Sequence, residues 1–225
     1  PGIRKWNLTT GPMAISGSTR MQATSIQMAV LVTVLEMVLQ DRMRRWGVPG
    51  APTAEAVQQL PERWQRWLET VHATLISAPV RGALAEWARL ESRVYAAGRR
   101  VNYYADGLAG DLLTDTTERS PTYCVPPFRK HGDERAADSW AFLFVPRPDS
   151  PSAWEHVCQR RPRCLEWTEE DVRPLVPAEN RLRTLEILGR IRYAELMRYR
   201  IGEDGLGDRP LGPGDAAVAL VGPGD

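Results

Sequence analysis

Ser16-Gly17-Ser18-Thr19-Arg20-Met21 is followed at once by an apolar run from Ile26 to Leu39, and this pairing of a small-residue turn with a greasy helix is where the fold is decided. A glycine and hydroxyl residues ahead of a helix suit an anion, because free backbone N–H groups and hydroxyls meet the positive end of the helix dipole. Gly17 lets the backbone approach a ligand closely, Ser18 or Thr19 can cap the helix, and Arg20 offers a planar fork to phosphate oxygens. The same spacing also fits a plain N-cap with an arginine on a solvated face.

The helix read from Arg20 to about Arg45 is apolar nearly all round, so it belongs between other layers of a fold. Few residues precede it, and the expectation is that most of its domain lies outside this sequence. The opening on Pro1 and the glycine-rich close at Val221-Gly222-Pro223-Gly224-Asp225 suggest a fragment in the same way. The longest apolar run, Met28 to Leu39, is broken by Thr33 and Glu36 and is too short to span a bilayer, so no transmembrane helix is expected.

A chain of 225 residues with 43% hydrophobic content can form one generous domain or two small ones. Its 29 basic and 28 acidic residues leave a formal charge of +1, so no global field favours nucleic acid or an anionic membrane. An anion site must be local. Gln159-Arg160-Arg161-Pro162-Arg163 is basic but lacks an aromatic platform, and reads as a solvated loop. Cys124, Cys158 and Cys164 are odd in number and lack the spacing of a disulfide framework, which favours reduced thiols and a cytoplasmic protein. His156-x-Cys158-x5-Cys164 matches no zinc spacing, so no metal and no cofactor are expected. The eight tryptophans, Trp64 and Trp67 among them, suit a core or a self-association surface, which keeps a homo-oligomer open.

Gly47-Val48-Pro49-Gly50-Ala51-Pro52 stops the first helix, and the stretch to Pro61 reads as linker. Helical spacing resumes from Glu62 through Leu75 and again near Arg81 to Leu90. Strands are predicted at Val101 to Tyr104, Trp140 to Val145, Cys164 to Trp167 and Ala216 to Val221. Between them fall a loop and short helix at Asp106 to Thr114 and a helix at Ala153 to Gln159, for which Ser150 and Pro151 make an N-cap and N1 pair. A long helix follows at Glu179 to Arg200, lined on one side by Leu182, Leu185, Leu188 and Ile191. Strands separated by helices point to an α/β fold with a doubly wound parallel sheet.

The segment from Gly11 to Thr24, Gly-Pro-Met-Ala-Ile-Ser-Gly-Ser-Thr-Arg-Met-Gln-Ala-Thr, resembles the signature of the sugar isomerase (SIS) domain family. It is most similar to the branch that holds N-acetylmuramic acid 6-phosphate etherase and the glucokinase regulatory protein. Asp115-x-x-Glu118-x-x-Pro121-Thr122-Tyr123 resembles a second segment of that branch. The resemblance implies a flavodoxin-type three-layer fold in tandem SIS domains, the first incomplete. The tail of the first domain would occupy residues 1–46, a linker 47–61 and the second domain 62–225. Phosphosugar contacts would fall on Ser16, Gly17, Ser18, Thr19 and Arg20, and the acid of an etherase on Glu118. A carboxyl group half shielded from water is suited to that role.

Several positions depart from the family pattern. Gln22 stands where a lysine is usual, and Ala105-Asp106-Gly107-Leu108-Ala109-Gly110 replaces a Gly-x-Gly-x-Ser-Gly phosphate loop. Asp106 would repel phosphate. No second catalytic glutamate is recognisable near Glu134, and Glu118 is equally read as a surface carboxylate pairing with Arg119 or Arg129. The implied function is phosphosugar binding with a regulatory role toward a partner enzyme. The alternative is a sugar-phosphate enzyme, an etherase-type lyase or an isomerase, with Glu118 as acid/base.

Overall fold

The computed structural model describes residues 7, 8 and 23–222, without the side chains of 121 and 122. Ser16, Gly17, Ser18, Thr19 and Arg20 lie outside the described residues. The chain divides into two compact units, one through Trp87 and one from Ala88.

In the first unit, α1 (Ala23–Arg45) carries Arg42, Arg44 and Arg45 in its last turn, where cations meet the negative end of the helix dipole. It stops where the sequence places a stop. Gly47 takes φ +67, and the N–H groups of Gly47 and Val48 donate back to the carbonyls of Arg44 and Met43, which is the Schellman pattern. A short α2 (Ala54–Gln58) then forms within the stretch read as linker, capped by Thr53, whose hydroxyl accepts from the Ala56 N–H at 3.2 Å. Pro61 opens α3 (Leu60–Leu75) in its first turn. Trp64 of α3 donates its indole N–H to Glu36 of α1 at 2.9 Å, and Arg63 adds an ion pair at 3.7 Å. No residue of α1 is buried, and Leu31, Leu35 and Leu39 are 57%, 66% and 60% exposed. By length and composition α1 would suffice to cross a membrane, although the shorter Met28 to Leu39 run alone would not. Glu36, midway along it, is held by polar groups of α3.

The second unit is built on a three-stranded, wholly parallel sheet ordered β2-β1-β3, with β1 (Val101–Ala105), β2 (Ala141–Phe144) and β3 (Ala216–Leu220). Three of the four predicted strands are therefore present, and the chain is α/β. In register, Tyr103 sits beside Leu143 and Val218, and Asn102 beside Phe142 and Ala217. One face thus carries Val101, Tyr103 and Leu143, all fully buried. On the other face Phe142 stacks on Phe128 with centroids 4.5 Å apart, and Tyr104 on Phe144 at 5.7 Å. Helix α4 (Ala78–Ala96) leads into β1.

Helix α5 (Ala109–Tyr123) connects β1 to β2 and runs well past the short helix expected there. It ends with Cys124 in the left-handed region, φ 55, just before Pro126 and Pro127. Arg119 of α5 lies 5.7 Å over the Tyr103 ring and pairs with Glu91 at 2.8 Å and Asp115 at 2.8 Å. Burial opposes its charge, but these carboxylates prevail and raise its pKa.

After β2 come α6 (Ser150–Cys158), α7 (Glu169–Val172), α8 (Ala178–Gly189), α9 (Tyr193–Leu196) and a 3₁₀ helix (Glu203–Asp208). Cys164 to Trp167 is not a strand. The run finds no sheet edge and is instead tied to α9, where the Glu166 carboxylate accepts from the Tyr193 N–H at 2.8 Å. The long helix expected at Glu179 to Arg200 breaks after Gly189, where Arg190 and Ile191 donate to Ile187 and Leu188 in tighter i to i−3 bonds. Its apolar side is also not uniformly covered: Leu188 is buried but Leu182 is 72% exposed. The N-cap of α6 is Asp149, one residue before Ser150. Its carboxylate accepts from the Ser152 N–H at 2.8 Å, which holds its pKa below the usual carboxylate range. Ser150, fully buried, donates its hydroxyl to Asp204 at 2.8 Å.

Candidate functional site

Parallel strands deliver their following loops to one edge of the sheet, and small ligands collect where neighbouring connections diverge. Here β1 leads through α5 to β2 on one side, and the chain returns past β1 to β3 on the other, so the connections part at the carboxyl ends of β1 and β3. A cavity of about 330 Å³ opens there. Its floor is Tyr104, Phe144 and Leu220, and its polar groups are Asp106 and Glu203.

Asp106, the first residue after β1, is not an isolated charge. Arg147 donates to its two carboxylate oxygens at 2.9 and 3.2 Å, and His156 Nε2 lies 2.6 Å from Oδ1. Arg147 also donates to His156 Nδ1 at 3.1 Å, so that nitrogen is the acceptor and Nε2 carries the proton. The repulsion that Asp106 would exert on phosphate is therefore offset by Arg147. His156 belongs to this cluster and not with the cysteines: Cys158 is exposed at the end of α6. Among the described residues no group of three or more His, Cys, Asp or Glu is placed to hold a metal ion.

Glu118, on α5, is half-buried. It is not among the residues lining this cavity. Of the arginines near it in sequence, Arg119 pairs with Asp115 and Glu91, and Arg129 with Asp138 at 3.5 Å.

A second cavity, about 250 Å³, lies against the Phe142 and Phe144 face of β2. Sequence reading missed it. Its centre is Arg209, only 6% exposed. The guanidinium donates from Nε to Asn102 Oδ1 at 2.7 Å and from an Nη to the Trp140 carbonyl at 3.4 Å, and it lies 5.5 Å over the Phe142 ring. Asn102, wholly buried in β1, returns a bond from its amide to the Arg209 carbonyl at 3.0 Å. Burial, and then the positive charge of Arg100, push the Arg209 pKa down to about 10. The signal in the sequence was Asn102, a polar residue inside an apolar strand that must find a buried partner.

The chain matches no protein-family model, no curated protein and no solved structure.

Proposed function

We propose that this chain belongs to a phosphosugar-binding protein of the sugar isomerase kind, built on a doubly wound sheet and acting by regulation and not by turnover. The observation that carries the reading is the cavity at the carboxyl edge of the parallel sheet. Its size falls at the lower end of small-molecule sites, which begin near about 300 Å³. Half-buried Tyr104, backed by the buried Phe144 ring, gives the cavity apolar surface for the C–H side of a sugar ring, while Asp106 and Glu203 accept from hydroxyls. The cavity is then the carbohydrate subsite of the second unit. As a separate part of the reading, the family resemblance implies phosphosugar contacts at Ser16, Gly17, Ser18, Thr19 and Arg20 of the first block.

The regulatory reading is favoured over an etherase because an acid/base must come within hydrogen-bond reach of the bond it cleaves. Glu118, the acid the resemblance implies, does not line the cavity, and of the two carboxylates that do, Asp106 and Glu203, the first is bound to Arg147 and His156. The test is to titrate the intact protein with N-acetylmuramic acid 6-phosphate and assay for lactate. Binding without lactate release is expected, with Arg20→Ala weakening it by about 1.5–3 kcal/mol, the range of a charged hydrogen bond. Lactate release that disappears in Glu118→Gln would replace regulation by lyase chemistry.

A further inference from the structure

The groups around Arg209 form a connected ionic shell. Arg100 bridges Asp138 at 2.9 Å and Asp215 at 3.5 Å, and Arg129 also reaches Asp138 at 3.5 Å. Lys130 and Arg198 share Glu195 at 2.8 and 3.1 Å. Arg200 contacts Asp204 at 3.4 Å and Asp208 at 3.2 Å, and His131 also meets Asp208 at 2.9 Å. Each of these cations has a carboxylate. Arg209 alone in the cavity wall has none within ion-pair distance, among the described residues, and Asp138 and Asp215 attract it only from farther off, less than burial and Arg100 oppose its charge. Six arginine and lysine side chains thus face five carboxylates, and the surplus charge is placed on the group that water reaches least. An unpaired buried cation is unfavourable unless something supplies the opposite charge.

From this arrangement we infer that the cavity against β2 is an anion site for a phosphoryl group, with Arg209 at its base and Arg198, Arg200 and Lys130 at its wall. A phosphoryl dianion presents tetrahedral oxygens that arginine forks and an ammonium can share. A cavity of about 250 Å³ has room for a phosphoryl group and some of its hydration. Asp138 and Asp208 also line it, and each is already bound to cations, Asp138 to Arg100 and Arg129 and Asp208 to Arg200 and His131. This site involves none of Ser16 to Arg20, and it stands whether or not the sheet-edge cavity takes a sugar.

The experiment is equilibrium titration of the intact protein with inorganic phosphate and with a hexose 6-phosphate at constant ionic strength, followed by phosphorus NMR and by thermal melting. Saturable binding of inorganic phosphate is expected, at least tenfold weaker in Arg209→Met and in Arg198→Met and retained in Arg20→Ala, while any hexose phosphate binding that Arg20→Ala weakens belongs to the first block. Arg198, partly exposed, keeps the test decisive should Arg209→Met fail to fold. Tighter binding of the hexose phosphate, lost in the same variants, identifies a phosphosugar as the source; equal binding identifies free phosphate. Absence of saturable inorganic phosphate binding by the folded protein, or inorganic phosphate binding lost in Arg20→Ala but intact in Arg198→Met, overturns the assignment.

Discussion

Replacing Asn102 by alanine removes both bonds that join β1 to the loop carrying Arg209. The Arg209 Nε–H, 2.7 Å from Asn102 Oδ1, loses a charge-assisted bond worth about 1.5–3 kcal/mol, and the Arg209 carbonyl, 3.0 Å from the amide, becomes a buried acceptor at about 1–3 kcal/mol. A combined loss of about 3–5 kcal/mol is expected, a large part of the total stability of an ordinary domain. Arg209→Met acts in two directions. It deletes the same charged bond and leaves Asn102 Oδ1 without its donor, but it also removes a cation whose pKa is lowered to about 10 by burial and then by the charge of Arg100. At about 1.4 kcal/mol per pKa unit, the net effect of these surroundings opposes folding by on the order of 3 kcal/mol. The net change should lie within about 1–2 kcal/mol of zero. Once Arg209 is methionine, the charged bond is already gone and Asn102→Ala should cost only about 1–2 kcal/mol more. Urea denaturation of the four proteins in the cycle measures the coupling, expected at about 2 kcal/mol. Additivity to within about 0.5 kcal/mol would show that the two side chains do not act as a unit and refute the reasoning.

Two further outcomes are expected. A methyl group on Gly205 would run into the Arg200 carbonyl oxygen, so Gly205→Ala should cost at least about 1–3 kcal/mol in urea denaturation, whereas Gly207→Ala, with open space around it, should cost little. Tyr95 is pushed up to about 12 by burial and then by the Glu91 carboxylate, so its stabilising contribution is complete below pH 10 and is lost as pH rises toward 12. Arg209 works oppositely across that range, because its depressed folded pKa makes its burial less costly as it loses its proton above about 10. Tyr95→Phe should therefore flatten the alkaline fall in melting temperature, and an unchanged fall would remove Tyr95 from the account.

The strands at Val101, Ala141 and Ala216 were readable because a parallel strand buried on both faces is a short apolar run, and the helices between them left parallel pairing as the simple arrangement. Cys164 to Trp167 has the same local appearance, but a strand needs a neighbour, and nothing local says that the Glu166 side chain will cap α9. The stop at Gly47 was legible from one residue that tolerates positive φ, while the break at Gly189 was masked by apolar spacing that continues to Ile191. Asp106 was visible as a charge in the place of a phosphate loop, but not its pairing with Arg147 and its bond to His156, which arrive from beyond β2. The cationic cavity left the weakest trace. Arg100, Lys130, Arg198 and Arg209 are scattered over more than a hundred residues, whereas the visible basic cluster, Arg160 to Arg163, contributes nothing to it.

The central claim, that this protein binds a phosphorylated sugar, is tested most directly by calorimetric titration of the intact protein with a hexose 6-phosphate and with the same unphosphorylated hexose. The account predicts saturable binding of the phosphorylated form, at least tenfold tighter than the free sugar, a difference of about 1.4 kcal/mol or more. Equal affinity for the two, or heat from neither, would contradict it.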